Sequence, residues 1–274
     1  MAVSYAASAP GKTIIHGEHA VVYGKASVAA SVDLRTSVTC TEQESLVVLE
    51  ACDLDISASW PVSKFLCFSV PKEGYSTEVI PSSALAPSIC ECFEVDGGSA
   101  KPRDQAELAF LFLFTGIALR HNNGQFVPAK FSVSSKLPLG AGLGSSASYS
   151  TALAAVLLAR CDVVRHPLSS DNRALISAWA FQAECILHGR PSGIDNTICT
   201  YAVEVTRQLV SAHRIPSYRV LLVNTQVPRN TKALVAGVKT RHDKFPEVIK
   251  PVLDSIEAIS ETFWKLLKGS PSGD

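Results

Sequence analysis

Residues Lys136 to Leu158, KLPLGAGLGSSASYSTALAAVLL, run from a glycine-rich loop straight into an apolar stretch of helical character. Gly140, Gly142 and Gly144 alternate ahead of the pair Ser145 and Ser146. Glycine lets a backbone take positive φ and approach an anion closely. A helix start favours that anion by about 0.3–1 kcal/mol at an exposed terminus, and a serine there can also cap free N–H groups. The loop by itself therefore fits two readings, a phosphate cradle and a serine-capped strand-to-helix turn. The spelling GxxxxGK[ST] is excluded, because no lysine follows Gly144. The looser dinucleotide form fits the letters Gly142, Gly144 and Ala147, but it needs a following strand that ends in an acid. CDVVRHPLSS, Cys161 to Ser170, is a poor source of one.

Working outward, a strand near Lys130–Ser134 leads into the loop, and the helix after Ser146 ends near Arg160. A second helix fits Asn172–His188, followed by a loop over Gly189–Asn196. Upstream, residues 3–70 alternate small, β-branched and polar types, which predicts several strands, among them Thr36–Thr41 and Ser45–Leu49. Residues 71–103 carry four prolines and Gly97-Gly98 and read as loop-rich. Asp104 then reads as an N-cap, with Glu107 in the first turn, for a helix that is apolar nearly all round through Leu108, Leu111, Ile117 and Leu119; such a helix belongs in a core. Downstream, Val220–Asn224 reads as a strand, and Thr231–His242 and Pro246–Lys268 as helices. The last carries an apolar stripe of Ile249, Leu253, Ile256, Ile259, Phe263 and Leu267, with Pro251 early in it or kinking it.

Composition narrows the partners. The 274 residues are 47% hydrophobic and 18% charged, with 25 basic against 25 acidic side chains and no basic run. The electrostatic footprint of a duplex-binding protein is missing, which favours a small-molecule partner over nucleic acid. Eight cysteines without CxxC spacing argue against a structural zinc and for free thiols in a reducing compartment. The start, MAVSYAASAPGK, has neither a basic leader nor a long apolar run, and Leu108–Leu119 is too short to span a bilayer. A soluble, intracellular protein is expected.

Two further stretches carry chemistry. SAPGKTIIHGEHAVVYGK, Ser8 to Lys25, sets Lys12, His16, Glu18 and His19 among β-branched and alanine residues, where charges are costly unless paired or used. In ECILHGRPSGIDN, Glu184 to Asn196, Glu184 shares a helix face with Ala180, Phe181, Leu187 and His188, an odd place for a solvated carboxylate. Gly189, Pro191 and Gly193 then form a turn that presents Ser192 and Asp195. Singly, Glu184 reads as a partly exposed acid and Asp195 as a turn residue. Together the three stretches supply a phosphate loop, two carboxylates and a lysine, the parts required for Mg-nucleotide phosphoryl transfer.

On these residues the chain resembles the GHMP kinase superfamily and, within it, the eukaryotic mevalonate kinases. APGKTIIHGEHAVVYGK is similar to the first motif of that family and LPLGAGLGSSASYS to the second; HGRPSGIDN and NTQVPRNTKALVAGV are similar to its downstream segments. The resemblance implies an α+β fold, the GHMP kinase N-terminal domain (ribosomal protein S5 domain 2-like), with a mixed or antiparallel sheet. It implies ATP-dependent phosphorylation of the primary hydroxyl of mevalonate with Mg²⁺ as cofactor. Backbone from Leu139, Gly140, Ala141, Gly142, Leu143 and Gly144 to Ser145 and Ser146 would wrap the ATP phosphates, with Lys12 beside them. Ser146 and Glu184 would hold the metal. Asp195 would act on the substrate hydroxyl as base or orienting acceptor, and Lys12 would offset charge next to it. Glu18, His19, Ser192 and Thr231, with Lys12 and Asp195, would line the substrate pocket. The family's third, GAGGGG-type motif does not occur in these residues, and Thr200-Tyr201 runs into Ala202-Val203-Glu204 where the family has an aromatic residue and a glycine pair. The resemblance thus implies an N-terminal ATP-binding domain over 1–215 and a truncated start of the C-terminal α/β domain over 216–274. A catalytically impaired ATP-binding or regulatory form is the alternative reading. A homodimer is left open, and the cytosol is the expected compartment with the peroxisome as the alternative.

Overall fold

A computed structural model of the protein describes residues 4–71, 77–99, 101–138, 140–189, 191–201, 203–205 and 231–269. The expected strand Val220–Asn224, the 215/216 boundary and Leu139 lie outside the described residues.

The strands are β1 (Ser4–His16), β2 (Val28–Glu42), β3 (Leu46–Ala51), β4 (Ile56–Pro61), β5 (Ala129–Ser135) and β6 (Val203–Val205). They form one sheet in the order β1-β2-β5-β3-β4, with β6 paired to the first residues of β2. The β3–β5 pair is parallel and the others are antiparallel, so the sheet is mixed, as the resemblance implies. The period-2 pattern decides which face is covered. Val38 and Cys40 of β2, Val47 and Leu49 of β3, and Phe131 and Val133 of β5 are buried in one cluster. Lys130 and Glu50, at alternate positions, meet in an ion pair of 2.8 Å on the other face.

Seven helices are described: α1 (Ser82–Phe93), α2 (Pro102–His121), α3 (Ser145–Arg160), α4 (Ser170–His188), α5 (Ile194–Tyr201), α6 (Thr231–Lys244) and α7 (Pro246–Gly269). α2 is the core helix its composition predicts, with every residue from Leu108 to Leu119 buried. The reason is that it has neighbours on all sides. Phe110 stacks on Trp60 of β4 at 5.7 Å and meets Phe131 of β5 edge-on at 5.2 Å. Its opposite side meets α1 and α4 so closely that a Cβ on Gly116 would come 2.8 Å from the Trp179 ring. α3 packs beside it over β1 and β2.

Three local expectations are corrected. The stretch 71–103 is not all loop, since α1 forms with Pro87 inside it. A proline there removes one helical hydrogen bond and crowds the preceding turn. Ser82, Leu85, Ile89 and Phe93 recur every three or four residues and are all buried, and burial of that stripe outweighs the defect. Asp104 is not an N-cap, because α2 starts at Pro102, whose missing N–H would have no partner at that position anyway. Asp104 lies in the first turn and accepts from Ser99 Oγ at 2.6 Å. On α7, Leu253 and Leu267 are buried and Ile249, Ile256 and Phe263 partly so, but Ile259 is 55% exposed and Ser260 faces inward in its place. The stripe docks on the segment that follows β1. Phe263 meets the His16 ring at 4.7 Å, and Lys25 pairs with Asp254 and, at 3.1 Å, with Glu257. Among the described residues no helix is long and apolar enough to cross a membrane.

Candidate active site

The site begins with a register shift between β1 and β2. Pro10 pairs with Arg35 but Gly11 pairs with Val32, so Asp33 and Leu34 of β2 are left over as a bulge. There β1 comes against the glycine-rich loop. Lys12 N–H donates to Leu143 O at 2.8 Å, and a Cβ on Gly11 would lie 2.4 Å from Leu137 Cδ2. Gly140, Gly142 and Gly144 all take left-handed φ, +68°, +77° and +67°. The first two face open space, but a Cβ on Gly144 would fall 2.8 Å from Lys12 Cγ. The loop therefore lies directly along the lysine stem.

Gly144 is also the residue that flanks α3, and no side chain caps that helix. Ser145 and Ser146 are its first two helical residues. Of the two readings the loop allowed, the serine-capped turn is not the one that forms. Ser146 points elsewhere: its Oγ donates to Glu184 Oε2 at 3.1 Å and lies 3.2 Å from His188 Nε2. His188 Nε2 is in turn 3.4 Å from Glu184 Oε2. Glu184 is 2% exposed, and its Oε1 is buried without a hydrogen-bond partner. Burial, and then the nearby Asp195 charge, push Glu184 up to about 8 against the pull of Ser146 and Lys12. Burial likewise lowers His188, opposed by Asp195.

The segment Gly189–Asn196 is not all loop, since α5 starts at Ile194 and Thr197 N–H reaches back to Gly193 O. Gly193, at φ +81°, makes the turn, and Ser192 Oγ accepts from Ile194 N–H at 3.4 Å. Asp195 thus stands in the first turn of α5, with Lys12 Nζ 3.1 Å from its Oδ1. The position of α5 is fixed from both sides. Asn196 Nδ2 donates to Ser177 O and Oγ on α4 at 3.1 and 2.9 Å, and Ile194 and Ile198 pack on Ile14, Val21 and Ala29.

Of the residues expected at the site, Lys12, Gly144, Ser146, Glu184 and Asp195 come together. Glu18 and His19 lie on the turn after β1, Glu18 exposed and His19 half-buried at φ +64°. That turn is forced by Gly17 (φ +92°), where a Cβ would fall 2.6 Å from Ser27. Among the described residues neither Glu18 nor His19 hydrogen-bonds or ion-pairs with Lys12 or Asp195. Thr231 opens α6, and its side chain lies outside the described residues. His188 was not singled out from sequence as a site residue. Its signal was there in the i,i+4 spacing from Glu184.

Among the described residues no three His, Cys, Asp or Glu side chains gather as a metal cluster. Mg²⁺ asks for less, because it takes one or two protein oxygens and completes its shell with waters and phosphate oxygens. Glu184, with its orphaned Oε1, and Ser146 Oγ are an oxygen pair of that kind beside the loop.

Residues 112–203 match the family described as GHMP kinases N terminal domain. Mevalonate kinase of Homo sapiens is 39% identical over 267 residues, covering 92% of this chain and 67% of the human protein. Among solved structures, the Methanococcus jannaschii mevalonate kinase superposes with a TM-score of 0.62 at 18% identity, covering 98% of this chain and 81% of that one. The L. major mevalonate kinase in complex with R-mevalonate gives 0.62 at 19% identity, over 97% and 70%. The structures establish a shared fold, and the identity to the human enzyme goes further. With that identity running through most of both proteins, the chain belongs to the mevalonate kinase family of GHMP kinases.

Proposed function

We propose that the protein transfers the γ-phosphoryl group of ATP to the primary hydroxyl of mevalonate, giving 5-phosphomevalonate. The observation that carries this reading is the Lys12–Asp195 ion pair at 3.1 Å, held against the glycine-rich loop through Gly144. The loop from Leu139 to Ser146 binds the ATP phosphates through its backbone. Lys12 faces both this loop and Asp195, so its ammonium offsets charge as the phosphoryl group moves between them. Asp195 accepts or orients the proton of the attacking hydroxyl. Such transfer depends mainly on positioning and electrostatics, which suits a site whose parts are locked by buried backbone and by the Asn196–Ser177 bonds. Ser146 and Glu184 would hold Mg²⁺, and a cation there would offset the phosphate charge beside the loop. Glu18, His19, Ser192 and Thr231 line the mevalonate side.

The test is an ADP-release assay with mevalonate, paired with equilibrium ATP binding. Wild-type turnover should require mevalonate, and Asp195→Ala should abolish it while ATP binding stays near normal. An Asp195→Ala protein that phosphorylates mevalonate at the wild-type rate overturns the assignment. ATP binding by the wild type without turnover supports a nucleotide-binding, regulatory role instead.

A further inference from the structure

We infer that His188 is a positioning residue for the cation pair, accepting the Ser146 hydroxyl proton when a divalent cation engages Ser146 and Glu184; the inference rests on the phosphoryl-transfer reading above. Ser146 has a single O–H to donate. Two acceptors are in reach, Glu184 Oε2 at 3.1 Å and His188 Nε2 at 3.2 Å. As the site stands, the hydroxyl points at Glu184. A serine oxygen that ligates a cation turns a lone pair to the ion and its proton away, and an ion shared by Ser146 and Glu184 would draw on the carboxylate that now accepts that proton. His188 Nε2 is the acceptor that remains. Its place also limits how Glu184 can turn, since the ring lies 3.4 Å from Oε2 and one helical turn further along α4. Groups that orient metal ligands in this way change affinity by about 10–100-fold when removed.

Position argues against a merely structural role. The His188 side chain is 51% exposed, at the last turn of α4, whereas the Glu184 beneath it is 2% exposed. Deleting the imidazole opens no core cavity, so the change should be felt at the cation and little in folding.

The experiment titrates Mn²⁺ into the protein–ATP complex and reads free Mn²⁺ by electron paramagnetic resonance. His188→Ala should weaken Mn²⁺ binding by about 10–100-fold. His188→Gln, whose side-chain oxygen can accept the same proton, should recover most of the loss. In steady state the Mg²⁺ concentration for half-maximal rate should rise in His188→Ala by the same factor. kcat at saturating Mg²⁺ and KM for mevalonate should stay within about threefold, the split expected of a residue that acts only through the ion. Wild-type Mn²⁺ affinity in His188→Ala overturns the inference, and so does an equal loss in the Ala and Gln variants. Since the titration needs only ATP and Mn²⁺, a wild-type protein that fails to phosphorylate mevalonate rejects the proposed reaction while its Mn²⁺ affinities still decide this point. A wild type that does not bind Mn²⁺ with ATP rejects the inference itself.

Discussion

Glu184 is buried one turn before the end of α4 and Asp195 stands half-exposed in the first turn of α5, and the two carboxylates of the site are held by opposite means. Glu184 is 2% exposed, receives one hydroxyl proton and keeps an orphaned oxygen, so burial drives it toward its neutral form. The Asp195 side chain is 34% exposed and has an ammonium group 3.1 Å away. One is a buried acid that burial pushes toward neutrality, and the other already has its counter-charge. On the proposed reading the α3–α4 half of the site takes the ion and the β1–α5 half the proton. The two halves meet at Gly144, where the loop lies on the Lys12 stem.

Removing the counter-charge should break the second half alone. Lys12→Met keeps most of the stem volume and deletes the ammonium. Asp195 can turn to water at its level of exposure, so folding should suffer little. The loss belongs to the transition state, and kcat should fall by about 10²–10³-fold, the scale seen when one preorganised donor is removed. Steady-state kinetics with a thermal melt decide it. A melting temperature that collapses together with kcat means that the pair holds the fold and not the chemistry.

Changing the buried acid should have the smaller and differently shaped effect. Glu184→Gln replaces a group already inclined to be neutral with a neutral one of the same shape, so thermal stability should hold or rise slightly. The Mg²⁺ concentration for half-maximal rate should increase by about 10–100-fold. An Mg²⁺ dependence identical to wild type denies Glu184 its role and with it the contrast between the halves.

How much of this could be read from the chain depends on whether a feature is local. α2 was legible because an all-round apolar helix has one place to go, and Phe110 and Gly116 show it enclosed. α1 was hidden because its prolines speak louder in sequence than its four-residue stripe, which counts only once a core exists to receive Leu85, Ile89 and Phe93. On α7 one step of helical phase exchanged Ile259 for Ser260, a matter of how the helix docks. In the site, Lys12, the glycines, Ser146, Glu184 and Asp195 stand in motifs whose residue types imply their chemistry. The bulge of β2 opposite Pro10 and Gly11 is a property of pairing between the two strands, so nothing in APGK announces it. His188 was in view on the Glu184 face, yet its partner Ser146 is 42 residues away in sequence, and only the fold makes them neighbours.

The meeting point of the halves can be tested by a pair of alanines in one loop. Gly142 and Gly144 both take left-handed φ, +77° and +67°, so an alanine at either carries a similar backbone cost of about 1–2 kcal/mol. They differ in what the new methyl meets. At Gly142 there is no heavy atom within 4 Å, whereas at Gly144 Lys12 Cγ lies at 2.8 Å and Cε at 3.3 Å. Lys12 cannot easily give way, being buried along its stem and tied to Asp195 at its tip. Gly144→Ala should therefore melt lower than Gly142→Ala and lower kcat by displacing the ammonium, while Gly142→Ala, in the loop proposed to bind the phosphates, should show chiefly in KM for ATP. The difference in melting temperature, with kcat and KM taken separately, is the measurement. If the two variants behave alike, the loop is an independent cradle, and the mechanical link between the phosphate half and the Lys12–Asp195 half is removed.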